Sequence, residues 1–323
     1  MRRLVALSLL ILLLAGCGTS APRKPVIAVL LTDDIRMPKV EGLRAGLADL
    51  GYSPDSLQVE VYSAKGDRTA LPALASRAVE SAPTVLVAGG GVEALALKVS
   101  GNTRIPVVMI GVASTVRSQL VASFAHPGGL ITGLDNQHAE LSAKRLELLT
   151  RLLPHVERVL LLYDPLVIPG QHALEVTQEA AGRLGVSVTP LAVESVEQAL
   201  DGLRPMQPGD FDAALLLPGF VLESGARQIT QELERLRLPV MGPLDLEGES
   251  GLLAAYGVSM RAQGMQSARF VAKILQGEEP GAIPVETPDN PELIVDLAVA
   301  ERLGVQLSPV GMAFARTRGE ARE

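Results

Sequence analysis

Tryptophan is absent from this 323-residue sequence, and five phenylalanines and four tyrosines bring the aromatic share to only 3%. Because 47% of the residues are hydrophobic, the core must be built from leucine, valine, alanine and isoleucine. A single cysteine excludes a disulfide framework and a zinc site with several thiolate ligands. The four histidines show no metal-ligand spacing, so we expect no metal site at His126, His138, His155 or His172.

Motifs of enzymes and of nucleotide-driven proteins are also missing. The sequence has no G-x-S-x-G elbow between a strand and a helix and no G-x-x-x-x-G-K-[ST] phosphate loop. The formal charge is −7 and no basic run follows the N-terminal segment, so we expect no nucleic-acid partner. These absences favour a protein without catalytic residues or a cofactor, with an α/β enzyme as the less favoured alternative.

One glycine-rich segment, Gly89–Ala94, has the form of the G-x-G-x-x-A dinucleotide fingerprint after a strand. The acidic residue expected about 20 residues later is missing, since no Asp or Glu occurs between Glu93 and Asp135. The segment therefore argues against a dinucleotide cofactor. Its glycines still expose backbone amides at a helix N-terminus, which favours an anion such as a carboxylate. A tight turn without a ligand is the alternative.

The single cysteine, Cys17, follows Leu14-Ala15-Gly16 at the end of a short apolar run. Arg2 and Arg3 precede that run, which is too short to span a bilayer as a mature helix. This pattern is typical of a lipoprotein signal peptide over residues 1–16, followed by a lipidated linker over residues 17–25. An ordinary secretory signal with an incidental cysteine is the alternative. The pattern predicts an extracytoplasmic protein anchored to a bacterial membrane through Cys17.

From Pro25 onward, apolar strands alternate with helices, and the pattern restarts after residue 140. The strands are continuous apolar runs, which is typical of parallel sheets buried on both faces. Strands are expected at residues 26–31, 57–62, 84–88, 106–110, 158–163, 187–192, 213–217 and 293–297. Helices are expected at 40–50, 71–79, 92–99, 141–153, 173–184, 196–203, 229–236, 260–275 and 298–303. The sequence therefore predicts an α/β fold with two doubly wound parallel-sheet lobes.

Ligands of open α/β sheets bind beyond the carboxyl ends of the strands, so the polar and aromatic breaks after these strands form the candidate site. The candidate ligand-binding residues are Thr32, Asp33, Gly90, Gly91, Ser114, Thr115, Tyr163, Asp164, Gly219, Phe220 and Tyr256. Asp164 is expected to pair with a ligand ammonium, the alternative being a cap on the turn before Pro165. Gly90, Gly91, Ser114 and Thr115 are expected to hold a carboxylate. Either tyrosine could instead have a core or hinge role.

Short segments between about Val26 and Pro309 resemble a known family in their order and spacing. The most specific is Lys144–Leu149, and the others are Gly42–Leu47 with Leu50–Tyr52, Leu71–Ala75, Leu120–Ser123, Pro127–Gly129, Thr132-Gly133, Tyr256-Gly257, Lys273–Leu275 with Gly277 and Pro280, and Ala300 with Leu303-Gly304. The chain resembles the substrate-binding proteins of ABC transporters with the periplasmic-binding-protein type I fold, in the group that includes aromatic amino-acid binders. Where the family often has Asp-Pro, this chain has Ser114-Thr115, and it has Leu130, Asp164 and Asp296 where the family often has Asn. The identity of the ligand therefore does not carry over.

The resemblance implies two lobes joined by three crossings, near residues 134–138, 253–257 and 277–288, with the ligand cleft between the lobes. We expect the first lobe to comprise residues 26–135 and 257–280, the second 136–256 and 281–315, and a frayed tail at 316–323. The implied protein is a monomeric, lipid-anchored solute-binding protein. It captures a small, amino-acid-like molecule and delivers it to an ABC permease. A ligand-sensing module for a membrane receptor is the alternative.

Overall fold

Two α/β lobes face each other in the computed structural model, which describes residues 24–243 and 251–318. The predicted signal peptide, Cys17, nearly all of its linker and the last five residues of the chain lie outside the described residues. Each lobe is built on one sheet in which parallel strands predominate. The predicted fold class is therefore confirmed.

The first lobe carries a five-stranded parallel sheet in the order β2-β1-β3-β4-β5. Its strands are β1 (Val26–Leu31), β2 (Gln58–Ser63), β3 (Val85–Ala88), β4 (Val107–Val112) and β5 (Ile131–Asp135). The helices that connect them are α1 (Met37–Asp49), α2 (Leu71–Glu80) and α3 (Gly91–Val99). Alternate residues of β1 enter two different cores, one with α1 and one with α2 and α3, so both sheet faces are covered. This burial explains the continuous apolar sequence of the strands.

The second lobe carries a seven-stranded sheet in the order β12-β11-β10-β9-β8-β6-β7. Its strands are β6 (Arg158–Tyr163), β7 (Ser187–Ala192), β8 (Ala213–Leu216), β9 (Val240–Gly242), β10 (Ala254–Gly257), β11 (Glu292–Val295) and β12 (Ala315–Thr317). Its helices are α4 (Leu141–Leu152), α5 (Ile168–Leu184), α6 (Val196–Leu203), α7 (Phe220–Ser224), α8 (Ala226–Arg235), α10 (Leu297–Leu303) and α11 (Pro309–Met312).

One strand pair of the second lobe, β10 with β11, is antiparallel. Strand β10 ends at the cleft with Gly257, and the chain then crosses to the first lobe through helix α9 (Met260–Leu275). When the chain returns, β11 begins beside that same end, with Glu292 opposite Gly257. The chain therefore leaves and re-enters the second lobe at the same end of the sheet, and β11 runs antiparallel to β10.

The backbones of helices α9 and α1 approach each other closely, because glycines lie on the two facing surfaces. A Cβ at Gly264 would lie 1.9 Å from the carbonyl oxygen of Lys39, and a Cβ at Gly42 would lie 1.9 Å from that of Arg261. Phe270 of α9 is fully buried in the first-lobe core. This packing attaches the second crossing to the first lobe and holds the start of α9 at the cleft.

Two expected boundaries, that of the first lobe and that of the tail, differ in the structure. Ile283 packs in the first-lobe core and Glu286 pairs with Leu134 of β5, so the first lobe extends past residue 280 to at least residue 286. Residues 316 and 317, expected in a frayed tail, belong to β12, because β11 supplies their hydrogen-bonding partners. The other elements missing from the prediction, β5, β9, β10, α7 and α11, have five residues or fewer, too few for a clear periodic pattern.

Candidate functional site

A cavity of about 380 Å³ lies between the lobes, where the carboxyl ends of strands from both sheets meet. The first lobe contributes Gly111 near the end of β4 and residues that follow β1 to β4: Arg36, Lys39, Arg68, Gly90–Val92, Leu95, Ala113, Ser118 and Leu120. The second lobe contributes Leu166–Pro169, Leu216–Phe220, Leu222, Glu223 and Pro243. The side next to the first two crossings is formed by Asn136, His138, Val258, Met260 and Gln263. We call this side the hinge end and the opposite side, around Arg68 and Phe220, the mouth end.

Arg36 is the centre of a buried ionic cluster that joins the two lobes. Its Nη1 lies 2.8 Å from both carboxylate oxygens of Glu93 in the first lobe. Its Nε and Nη2 donate to the two carboxylate oxygens of Glu223 in the second lobe, at 3.0 and 2.6 Å. The short 3₁₀ turn Asp34–Arg36 after β1 and helix α7 after β8 place these groups opposite each other. The ion pair therefore bridges the cleft in the closed arrangement of the lobes.

Arg36 and Glu223 hold each other in their charged forms. Burial acts to lower the pKa of Arg36, but the carboxylates of Glu223 and Glu93 outweigh it and raise that pKa above its ordinary value. Burial acts to raise the pKa of Glu223, but the charge and hydrogen bonds of Arg36 bring it below its ordinary value. Burial and the charge of Arg36 lower the pKa of Lys39 to about 8. The Lys39 ammonium donates to the carbonyl oxygens of Gly89 and Ile110, at 2.7 and 2.8 Å.

Four further contacts join the lobes. The ring of Phe220 lies 5.6 Å from the guanidinium carbons of both Arg36 and Arg68, a cation–π distance. Ser114 Oγ lies 3.2 Å from His172 Nδ1. On the protein surface, Arg117 Nη1 lies 3.1 Å from a carboxylate oxygen of Glu175. The cavity is thus closed on the mouth side by contacts within the protein itself.

The hinge end carries buried polar atoms that have no partner among the described residues: Arg145 Nη2, His138 Nε2 and Gln263 Oε1. Arg145 is fully buried, and its other nitrogens donate to the carbonyl oxygens of Tyr256 and His138 at 2.8 and 2.6 Å. Burial lowers the pKa of Arg145 to about 9. Burial, together with the charges of Arg145, Lys39 and Arg36, holds the pKa of His138 well below its ordinary value, so its ring is neutral near pH 7.

Four of the predicted ligand-binding residues line the cavity: Gly90, Gly91, Gly219 and Phe220. Gly90 precedes helix α3, as expected, but the anion at this helix N-terminus comes from the protein. The carboxylate of Glu93 lies 2.9 Å from the position of a Cβ on Gly90, and Arg36 Nη1 lies 2.0 Å from it. The absence of a side chain at Gly90 therefore makes room for the ion pair.

The predicted residues of the β1 and β4 loops do not line the cavity. Thr32 is fully buried and its amide donates to Glu93 at 2.7 Å, whereas Asp33 caps the following turn by accepting from the amide of Ile35 at 2.9 Å. The amide and hydroxyl of Thr115 both donate to Asp135, at 2.8 and 2.7 Å. Ser114 faces His172 across the cleft. Neighbouring polar groups thus occupy the atoms that were expected to hold a carboxylate.

The predicted residues of the second lobe that lie outside the cavity wall are Tyr163, Asp164 and Tyr256. Both tyrosines pack against the second-lobe core. Asp164 is fully buried behind the wall; its Oδ1 accepts from the amide of Leu166 at 3.0 Å and its Oδ2 has no described partner. Burial raises the pKa of Asp164 above its ordinary value. The structure therefore contains the turn cap that was given above as the alternative role of Asp164.

The charged residues of the cavity are absent from the sequence prediction. Arg36 and Lys39 follow β1 within eight residues, and Glu223 follows Phe220 by three, so their positions after strand ends were a usable signal. Arg145 and His138 do not directly follow a predicted strand; Arg145 lies in the Lys144–Leu149 segment of the family resemblance and His138 at the expected first crossing, and neither was predicted as a site residue. His138 lines the cavity and Arg145 lies buried beside it, a placement that depends on how the chain packs at the hinge end.

The chain belongs to the ABC transporter substrate-binding protein family, whose family model matches residues 25–314. This is a family of solute-binding proteins rather than enzymes, and the predicted family is confirmed. Substrate-binding proteins of ABC importers work outside the cytoplasm. Among residues 24–243 and 251–318, no helix is long and apolar enough to cross a membrane.

Three known proteins illustrate this similarity. The tyrosine-binding protein of Clostridioides difficile is 23% identical over 271 residues, which cover 82% of this chain and 76% of that protein. A conserved domain protein from Vibrio cholerae superimposes with a TM-score of 0.85 at 24% identity, over 91% of this chain and 99% of the other. A Streptococcus pneumonia ABC domain in complex with L-Trp gives a TM-score of 0.84 at 20% identity, with the same coverage of both chains. The two solved structures show that the fold is shared.

Proposed function

We propose that this protein is a lipid-anchored receptor that captures an amino acid with an apolar or aromatic side chain and delivers it to an ABC permease. The observation that carries the proposal is the cavity between the lobes, which both lobes line and whose mouth end is closed by an ion pair between them. Contacts of one ligand with both lobes favour the closed state and couple binding to lobe closure. The protein acts in this role as a monomer.

The lining of the cavity supports an apolar ligand side chain. Leu95, Leu166, Ile168 and Phe220 come from both lobes and surround the space with aliphatic and aromatic groups. The charged groups of the Arg36 cluster neutralise one another, since Arg36 is paired with Glu93 and Glu223. The names of the relatives point the same way, because one is a tyrosine-binding protein and another was solved with L-Trp. Pockets of this kind combine apolar walls with a few placed polar groups.

Titration with the twenty amino acids tests the ligand class. We expect one or more aromatic or branched amino acids to bind, and we expect charged amino acids not to bind. The chain contains no tryptophan, so the indole fluorescence of added L-tryptophan reports on the ligand alone, and calorimetry covers the other amino acids. Failure of every amino acid to bind protein from which co-purifying ligand has been removed would overturn the proposed ligand class.

The lipid anchor is proposed for Cys17, the only cysteine of the sequence. Expressing the full chain in bacteria with a radiolabelled fatty acid should label the wild-type protein and leave Cys17→Ser unlabelled. The label is expected because a lipidated cysteine is the first residue after signal-peptide cleavage in the pattern described above. Equal labelling of the two proteins would show that Cys17 is not the attachment site, and absence of label from the wild-type protein would show that the N-terminal segment is an ordinary secretory signal.

A further inference from the structure

At the hinge end of the cleft, Gly257 leaves a space of about one methyl group where another residue would have its Cβ. A Cβ at this glycine would lie 3.4 Å from His138 Nε2, 3.4 Å from the carbonyl oxygen of Pro243 and 3.6 Å from Arg145 Nη2. Pro243, His138 and Val258, which surround or follow Gly257, all line the cavity. An atom in this space is therefore within reach of two nitrogens and one carbonyl oxygen.

The polar atoms around this space are unsatisfied, and buried polar atoms rarely are. Arg145 Nη2 and His138 Nε2 are buried without a partner among the described residues, and so is Gln263 Oε1 nearby. Arg145 is a donor only, and the neutral imidazole of His138 can present an N–H at Nε2. Within the described residues, Arg145 donates to carbonyl oxygens and to the hydroxyl of Ser142, and to no carboxylate. An anionic group is the strongest complement of a buried guanidinium in this position.

We propose that the carboxylate of an amino-acid ligand binds at the hinge end, above Gly257, against Arg145 and His138. The carbonyl oxygen of Pro243 and Gln263 Oε1 are acceptors on the same side of the cavity and suit the ammonium of the same ligand. The apolar side chain then extends toward Leu95, Leu166 and Phe220. This placement rests on the proposed function and adds to it the orientation of the ligand and the residues that read its head group.

The mouth end is a poor place for the same head group. Asp164 follows β6 and Gly257 ends β10, with β8 and β9 between them. At a strand spacing of about 4.8 Å, the two positions are roughly 14 Å apart. The two charges of an α-amino acid are carried on one carbon and cannot reach both places. Arg68 lines the cavity at the mouth end, beside the ring of Phe220, so a ligand ammonium meets like charge there.

The variant Gly257→Ala tests the proposal with little risk to the fold. Its methyl group would fill the space, and the nearest atoms lie at ordinary contact distances of 3.4 Å or more. For the amino acid that binds most tightly in the panel, we expect a loss of affinity of about 10- to 150-fold, the range for charge-assisted hydrogen bonds. The decarboxylated amine of that amino acid should bind the wild-type protein weakly and should be little affected by the substitution. Thermal melting confirms that the variant is folded.

Asp164→Asn is the matched variant at the mouth end, and it should leave affinity within about twofold, since the head group is placed elsewhere. A loss with Asp164→Asn and none with Gly257→Ala would place the head group at the mouth end and overturn the inference, while the proposed function would stand. Loss of tyrosine binding but not of phenylalanine binding in Gly257→Ala would assign the space to a phenol hydroxyl, which also overturns it. Absence of amino-acid binding to the wild-type protein would overturn both proposals.

Discussion

Replacing Glu93 by alanine should lower the free energy of unfolding by about 3–5 kcal/mol, the usual cost of leaving a buried charge unpaired. The carboxylate of Glu93 is fully buried and accepts from Arg36 Nη1 and from the amide of Thr32. Removing it leaves the cation and the amide without that acceptor in the interior of the first lobe. Urea unfolding followed by circular dichroism measures the loss.

Glu147→Ala is the control for Glu93→Ala. Glu147 also pairs with two cations, Lys144 and Arg151, at 3.0 and 2.8 Å, but its side chain is 30% exposed. Exposed ion pairs contribute about 0–1 kcal/mol, so this variant should unfold close to the wild type. Equal losses for the two variants would show that burial of the Arg36 cluster has no special energetic weight.

Replacing Glu223 by glutamine should shift the lobes of the ligand-free protein toward the open state by a factor of about 10 to 150, since charge-assisted hydrogen bonds contribute about 1.5–3 kcal/mol. Glu223 and Arg36 lie on opposite lobes and form a two-point contact with exposures of only 15% and 8%. Glutamine keeps the shape of the side chain and removes the charge. Opening also returns Arg36 to water, which lowers the cost of separating the lobes.

Energy transfer between dyes on the two lobes measures this shift. Cysteines introduced at the exposed positions Asp49 and Glu179, in a chain that lacks Cys17, report the distance between the lobes. Glu175→Gln is the control, because its pair with Arg117 also crosses the cleft but is more than half exposed. We expect a change of less than about fivefold in the control. A response as large in Glu175→Gln as in Glu223→Gln would refute the role of the buried pair in closure.

The fold class followed from the sequence because the patterns that predict it are local. Continuous apolar runs such as Val26–Leu31 and Arg158–Tyr163 predicted buried parallel strands, and both have these bounds in the structure. Helix α9 was also predicted with its observed bounds, Met260–Leu275. Strands β9 and β12 have three residues each, so their pairing partners rather than their own sequence determine them.

The candidate site was predictable only in its location. Strand ends were the expected place, and Gly90, Gly91, Gly219 and Phe220 do line the cavity. The sequence did not show which polar atoms would be free, because neighbouring groups satisfy the hydroxyl of Thr115 and the amide of Thr32. The hydrogen-bonding partner of a side chain depends on distances in the folded protein, and these distances cannot be read from the order of residues.

The sequence by itself determined the two-lobed α/β architecture, the family and the edge of the sheets at which the cavity lies, because apolar periodicity and strand direction are encoded residue by residue. Only the tertiary structure decided the chemistry of the cavity. Arg36 meets Glu93 and Glu223, which lie 57 and 187 residues away along the chain, and Arg145 is buried beside His138 and Gly257 at the hinge. Charges act through distance and burial, and the packing of the two lobes sets both.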